Sequence, residues 1–257
     1  MIIDSHCHLS DARLKDRQEE IISSLSANGI KSVFEVGWDL QSSKDALELS
    51  RKYSQVWAAV GTHPHDAKSY DDESESFYKR AAQDKKVIAI GEIGLDYYYD
   101  LSPRETQKDV FARQLCLAYE TGLPAVLHIR DAYKDALDIL AAHRDKLNHG
   151  VLMHCYSSSA EMVREFLRYD CYFAFGGAIT FKNAKKDDVI KAVPDDRLLV
   201  ETDCPYMTPV PFRGQPNEPK YVNLVVNKIA EIKQTDAKVI ADLTYQNTQR
   251  LFFKYGK

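Results

Sequence analysis

The fold predicted by this sequence is α/β: a TIM-like (β/α)₈ barrel spanning residues 1–257 as one domain. Three observations predict it. The length of 257 residues is close to that of one complete α/β barrel. Short apolar runs rich in β-branched residues recur eight times along the chain. Segments of helical periodicity separate these runs, the alternation that builds a parallel sheet.

The runs lie at 2–4, 32–36, 56–60, 87–90, 125–127, 151–153, 172–175 and 198–200. The first helix turns Ile21, Ile22 and Leu25 inward and ends at Gly29. The acidic cluster at 71–75 marks the start of another helix, where carboxylates favour the N-terminus. Ser102, Pro103 and Glu105 read as an N-cap, a proline at the first helical position and a capping-box glutamate. That helix carries Val110, Phe111, Leu115 and Ala118 on one face and stops at Gly122, before Pro124. Residues 208–219 hold Pro209, Pro211, Gly214, Pro216 and Pro219, and read as a long ordered loop after the eighth strand. A last helix, about 237–253, closes the ring.

The net charge of −4, with no basic arm, argues against broad electrostatic wrapping of a nucleic acid. A phosphodiester substrate remains compatible, because bound divalent ions would carry their own positive charge into the site. Five cysteines with no CxxC pair fit a reducing compartment without structural disulfides. The opening MIIDSHCHLSD is not a signal peptide, and no run is long enough to span a bilayer. The expected location is the cytoplasm, or the nucleus in a eukaryote. No helix carries an apolar stripe beyond core needs, so a monomer is expected.

Buried parallel strands should be apolar throughout. Here several end in residues of metal-binding type: His6-Cys7-His8 after the first run, His63 and His65 after the third, Glu92 after the fourth, His128 after the fifth, His154 after the sixth, and Glu201 and Asp203 after the eighth. In a parallel barrel all these ends open at one mouth. Residues i and i+2 of a strand point the same way, so His6 and His8 both enter the mouth while Cys7 faces the helices. The same rule aims Cys155 away from the site if His154 points in. Glu201 shares a face with Asp203, one step deeper. Asp4 reads as structural, and His143 and His149 fall at the opposite end of the barrel.

Four imidazoles and two carboxylates suffice for two divalent ions, with Mg²⁺, Mn²⁺ and Zn²⁺ as the candidates. His6, His8 and Asp203 would hold one, His128 and His154 the other, with Glu92 bridging. Such a pair clamps the oxygens of an in-line displacement and activates water. Asp203 would take the proton of that water or orient it, and Glu201 would support a ligand from behind.

At these residues the chain resembles the TatD family of metal-dependent deoxyribonucleases, within the wider amidohydrolase-like superfamily. The matching pieces are DSHCHL, VGTHPHDA, IGEIGLDYYYD, QKDVFARQLCLA, PAVLHIRDA, LMHCYSSS, ETDCPYMTP, RGQPNEP and NTQRLF, in order over essentially the whole chain. The resemblance implies a divalent-metal phosphodiesterase acting on DNA, usually as a 3′→5′ exonuclease, with some members linked to DNA repair or to DNA fragmentation in cell death. It implies ligand roles for His6, His8, Glu92, His128, His154 and Asp203. It also places His63 near the scissile phosphate, which position in the sequence alone does not. Ser158 stands where the family commonly has glycine, and Cys204 where alanine or serine is frequent; neither removes a ligand.

A phosphodiester calls for cations and donors around its oxygens. Arg130, Lys182 and Arg213 all fall on the mouth side, as substrate contacts or as loop-bracing charges. Tyr97, Tyr98 and Tyr99 follow the fourth strand, where they would stack on bases or pack on the rim. Asp96 would orient His63, an arginine or a metal-bound water. The leading expectation is a DNA exonuclease acting on single-stranded ends. The same centre would also serve an ester or amide hydrolase, for example one acting on an aminoacyl-RNA linkage, because activated water attacks carbon as well as phosphorus. A non-catalytic binding module that has kept the barrel is opposed by the intact ligand set.

Overall fold

The computed structural model describes residues 1–253. Eight parallel strands form one sheet in sequential order: β1 (Ile2–Cys7), β2 (Ile30–Val36), β3 (Val56–Val60), β4 (Val87–Asp96), β5 (Ala125–Arg130), β6 (Val151–Met153), β7 (Cys171–Phe175) and β8 (Leu198–Val200). Cys7 bridges Cys204 in parallel, and Ser5 Oγ donates to Val200 O at 3.0 Å, so the sheet curls round to nearly close a barrel. The helices between and after the strands are α1 (Gln18–Ser24), α2 (Leu40–Lys52), α3 (Asp72–Ala81), α4 (Arg104–Thr121), α5 (Tyr133–Ala142), α6 (Ala160–Leu167), α7 (Asp187–Ala192), α8 (Val222–Lys233) and α9 (Ala237–Phe252). The expected TIM-like barrel is the observed fold.

Two apolar layers follow from strand alternation. One set of side chains, including Val33, Val56, Val60, Leu127 and Phe173, packs under the helices. The other, including Ile3, Phe34, Ala59, Val126, Leu152, Ala174 and Leu199, fills the barrel itself. Leu251 and Phe252 of α9 join this inner cluster, with Phe253 and Trp57 packed against it. The NTQRLF segment therefore plugs the end of the barrel opposite the mouth. Stepping two residues along β5 from Val126 reaches His128 and Arg130, whereas His154 and Glu201 stand just past the ends of β6 and β8 and Asp203, with φ 55°, sits in the turn beyond. On β1 the register slips between Asp4 and Cys7. That slip lets Ile3 and the even-numbered His6 and His8 share the interior.

Helix ends depart from expectation at two places: α1 ends at Ser24, with Gly29 capping a separate 3₁₀ turn at Ser26–Asn28, and α4 starts late. Gly122 has φ 71° and caps α4, as its position predicts. The helix starts one residue later than expected, with Pro103 as its N-cap residue. Ser102 does not cap it. Its hydroxyl donates to His65 O at 2.7 Å and accepts from Lys68 N at 3.1 Å, tying the loop after β3 to the loop after β4. A tertiary partner has taken the group that a local rule assigned to the helix.

Candidate metal centre

Glu92 lies at the middle of the mouth. Its Oε1 is 2.9 Å from His128 Nδ1, 2.9 Å from His154 Nε2 and 3.7 Å from His63 Nε2. Its Oε2 is 3.4 Å from His6 Nε2 and 3.9 Å from His8 Nε2. His8 Nε2 is also 3.6 Å from Asp203 Oδ1. Burial works against the Glu92 carboxylate, yet His154, His6 and His63 outweigh it and hold the group well below its ordinary range. Burial likewise opposes Asp203, and His8, His154 and His6 together outweigh it, so this carboxyl is also lowered.

The donor set fits divalent cations. Donor atoms fall within 4.8 Å of one another in three overlapping groups: His6, His8 and Asp203; His6, Glu92 and His154; His63, Glu92 and His128. His8 Nδ1 lies 2.8 Å from Val36 O, so that nitrogen carries a proton and Nε2 is the atom that faces the centre and would give up its proton to a cation. There it meets His6 Nε2 at 3.2 Å. Two inward nitrogens, shut from solvent and adjacent to two carboxylates, are what a cation would neutralise. His154 is oriented in the same way, with Nδ1 3.2 Å from Glu201 Oε1 and Nε2 facing Glu92.

Buried acids and amides shape the backbone around these ligands. Asp4 Oδ1 accepts from Thr202 N at 2.8 Å and its Oδ2 lies 2.5 Å from Thr202 Oγ1, which locks the end of β8 beside β1. Glu35 accepts from Leu9 N at 2.6 Å and Ser10 N at 2.8 Å, fixing the chain just after His8. Asn217, from RGQPNEP, donates to Thr202 O and Tyr206 O and so clamps the two sides of the Asp203 turn. Two buried glutamines one heptad apart on α4 hold two neighbouring loops. Gln114 exchanges hydrogen bonds with Thr62 N and O, next to His63. Gln107 does the same with Asp96 N and O. Gly94 has φ 139°, and a Cβ there would lie 2.1 Å from His128 O, so only glycine allows β4 to run this close to the His128 backbone.

Asp96 orients two imidazoles, neither of them His63. Its Oδ2 is 3.0 Å from His128 Nε2 and 3.0 Å from His65 Nε2. With Asp96, His65 therefore links the loop after β3 to His128. His63 Nδ1 accepts from His65 N at 3.1 Å, which leaves the proton of a neutral ring on Nε2, facing the centre. Burial, aided by His128, keeps His63 well below the usual imidazole range and hence neutral.

All this lies at the base of a cavity of about 680 Å³. His8, His63, His65, Glu92, His128, His154 and Asp203 contribute to its lining, as do Arg130 and Tyr99. Four other substrate expectations fall outside the lining, among them Tyr98, whose ring lies under Arg130. The Tyr97 hydroxyl donates to Asp135 at 2.7 Å and its ring lies under Arg104, so it packs on the rim. Arg213 stacks 3.9 Å over the Phe181 ring and braces the loops after β7 and β8. Lys182 is exposed, whereas Lys186, four residues on, lines the cavity. Cys7 faces away as expected, donating to Phe34 O at 3.2 Å. Cys155 does not: β6 ends at Met153, Cys155 has φ 43°, and it joins the lining. The two-residue alternation stops with the strand.

Residues 3–253 match the model of the TatD related DNase family. A metal-dependent hydrolase of Bacillus subtilis, YabD, is 43% identical over 253 residues, covering 98% of this chain and 99% of that one. The 3′-5′ ssDNA/RNA exonuclease TatD of Enterobacter lignolyticus is 30% identical over 257 residues, covering 98% of each. The crystal structure of YJJV, a TatD homologue from Escherichia coli K12, superposes with a TM-score of 0.92 at 31% identity, covering 98% of each chain. With the fold, the order of its motifs and a metal-type donor set all in agreement, the chain belongs to the TatD family of metal-dependent hydrolases.

Proposed function

We propose that this protein is a divalent-metal-dependent deoxyribonuclease that shortens single-stranded DNA from its 3′ end. The observation that carries the reading is the ring of imidazoles about Glu92 and Asp203, set at the base of an open cavity that also holds Arg130. That a relative is named a 3′-5′ ssDNA/RNA exonuclease supports the same substrate class.

His6, His8 and Asp203 would hold one ion, His128 and His154 another, with Glu92 between them. When bound, two divalent ions (Mg²⁺, Mn²⁺ or Zn²⁺) supply positive charge to the phosphodiester oxygens and activate water. Asp203, held ionised beside His8, accepts the proton of the attacking water. His63 directs its Nε2–H toward the phosphoryl oxygens. Arg130 sits over the Tyr98 and Tyr99 rings at 4.0 and 4.9 Å, so its planar donors are held at the cavity edge for a phosphate. Tyr99, largely exposed at the same edge, offers a stacking face to a base. Cleavage of the P–O3′ bond leaves a 3′ hydroxyl on the shortened strand and a 5′ phosphate on the released nucleotide. Glu201 and Asp96 act through the rings of His154 and His128.

The test is degradation of 3′-labelled and 5′-labelled single-stranded DNA by metal-stripped protein given Mg²⁺, Mn²⁺ or Zn²⁺, with Asp203→Ala as the control. Stepwise loss from the 3′ end, absent in the variant, is the expected result. Metal-loaded protein that degrades no DNA would instead favour an ester or amide hydrolase, a reading supported by the apolar side of the cavity at Phe175, Ile179, Phe181 and Met207.

A further inference from the structure

Lys186 precedes α7 and lines the same cavity as the metal-type donors. Its Nζ donates to Ser157 O and, at 3.2 Å, to Ser158 O, carbonyls of the loop after β6. An ammonium has three donors. Two are taken by neutral oxygens, which fix the group without cancelling its charge. No carboxylate pairs with it among the described residues, and burial lowers its ammonium below the ordinary lysine range. The acids that line the cavity are Asp66, Glu92 and Asp203, which follow β3, belong to β4 and follow β8. The loops after β6 and β7 line the cavity with Lys186, Ser157, Cys155 and the apolar side chains of Tyr156, Ile179 and Phe181, and contribute no carboxylate to that lining.

A lysine held by carbonyls, half-buried, unpaired and with one donor left over is arranged for an external anion. Resting on the nuclease reading above, we propose that Lys186 binds the phosphate next to the scissile one. Arg130, at the end of the neighbouring strand β5, serves the scissile phosphate. The protein then prefers a strand with at least two consecutive phosphodiesters over a substrate with a single one, and the apolar surface by Ile179 and Phe181 takes the intervening nucleoside.

The test compares a trinucleotide carrying two phosphodiesters with thymidine 5′-(p-nitrophenyl phosphate), which carries one, in the metal-loaded enzyme. In Lys186→Gln the ratio of kcat/KM between the two substrates is expected to fall about tenfold, through KM, the size typical of a lost hydrogen bond to a charged group. Lys186→Arg restores most of the ratio. A second measurement does not depend on the variant folding well. In the wild type, replacing only the phosphate next to the scissile one by an uncharged methylphosphonate costs a similar factor, and in Lys186→Gln it costs little more. An unchanged ratio, or an equal loss on both substrates, would make Lys186 a loop brace and overturn the proposal. So would a methylphosphonate that the wild type tolerates. A wild type that cleaves the nitrophenyl ester but no trinucleotide would overturn the nuclease reading and the phosphate site together, whereas a wild type that cleaves both with no effect of Lys186 removes only the latter.

Discussion

His154 Nδ1 lies 3.2 Å from Glu201 Oε1, and this contact decides which nitrogen of the ring faces Glu92. Glu201 is wholly buried and its Oε1 also accepts from Cys155 N at 2.7 Å, so the carboxylate fixes both the ring and the turn that carries it. Glu201→Gln keeps the shape but can present an amide in place of an acceptor to the ring. The expected result is metal affinity weaker by roughly 10- to 100-fold, the usual cost of losing such a supporting partner. Titration with a competing chelator measures it, and unchanged affinity would remove Glu201 from the support of the centre.

Asp203→Ala removes one carboxylate from the His6, His8 and Asp203 group while leaving the Glu92 cluster in place. The expected loss in kcat is at least about 10²- to 10⁴-fold, the range for a positioned acid–base group. Circular dichroism should show an intact barrel, because the side chain lies at the mouth rather than in either apolar layer. Near-normal turnover at saturating metal would exclude Asp203 as the proton acceptor.

Metal binding should strengthen as pH rises. Burial opposes the charged form of His8, but Asp203 and Glu92 outweigh it and lift the metal-free ring to about 9. His154 is raised as well, burial being outweighed by Glu92 and Glu201. A raised imidazole keeps its proton at neutral pH, and a metal must displace it. Apparent affinity therefore increases with pH through the neutral range and levels off, for His8, above about 9. His6 and His63 are lowered by burial and contribute little to this dependence. Calorimetry in buffers of different ionisation enthalpy would count the protons released, and a pH-independent affinity would contradict the linkage.

Cys7→Ser and Cys155→Ser are expected to keep both bound metal and activity. The Cys7 thiol donates to a carbonyl, a role that a hydroxyl repeats. Cys155 touches the cavity but belongs to none of the donor groups around Glu92 and Asp203. Loss of metal from either folded variant, measured by elemental analysis, would place a sulfur in the coordination sphere.

The sequence determined the barrel and that its polar strand ends gather at one mouth. Both rest on short-range rules. Apolar runs alternating with helical segments give a parallel sheet, and a polar residue at the end of an apolar strand must emerge at its C-terminal edge. His128, His154 and Asp203 follow their strands by that rule without correction. What only the tertiary structure decided are pairings between groups far apart in the chain. Asp96 chose His65 and His128, and Ser102 was drawn from a helix cap to His65. Gln107 and Gln114 became backbone clamps although they read as ordinary helix residues. Lys186 rather than Lys182 entered the cavity because its ammonium reaches the carbonyls of Ser157 and Ser158. Cys155 turned inward because alternation ends where the strand's hydrogen bonds end. Such choices depend on which polar groups meet once the barrel closes, since each buried donor or acceptor must find a partner across the fold and local spacing carries no record of it.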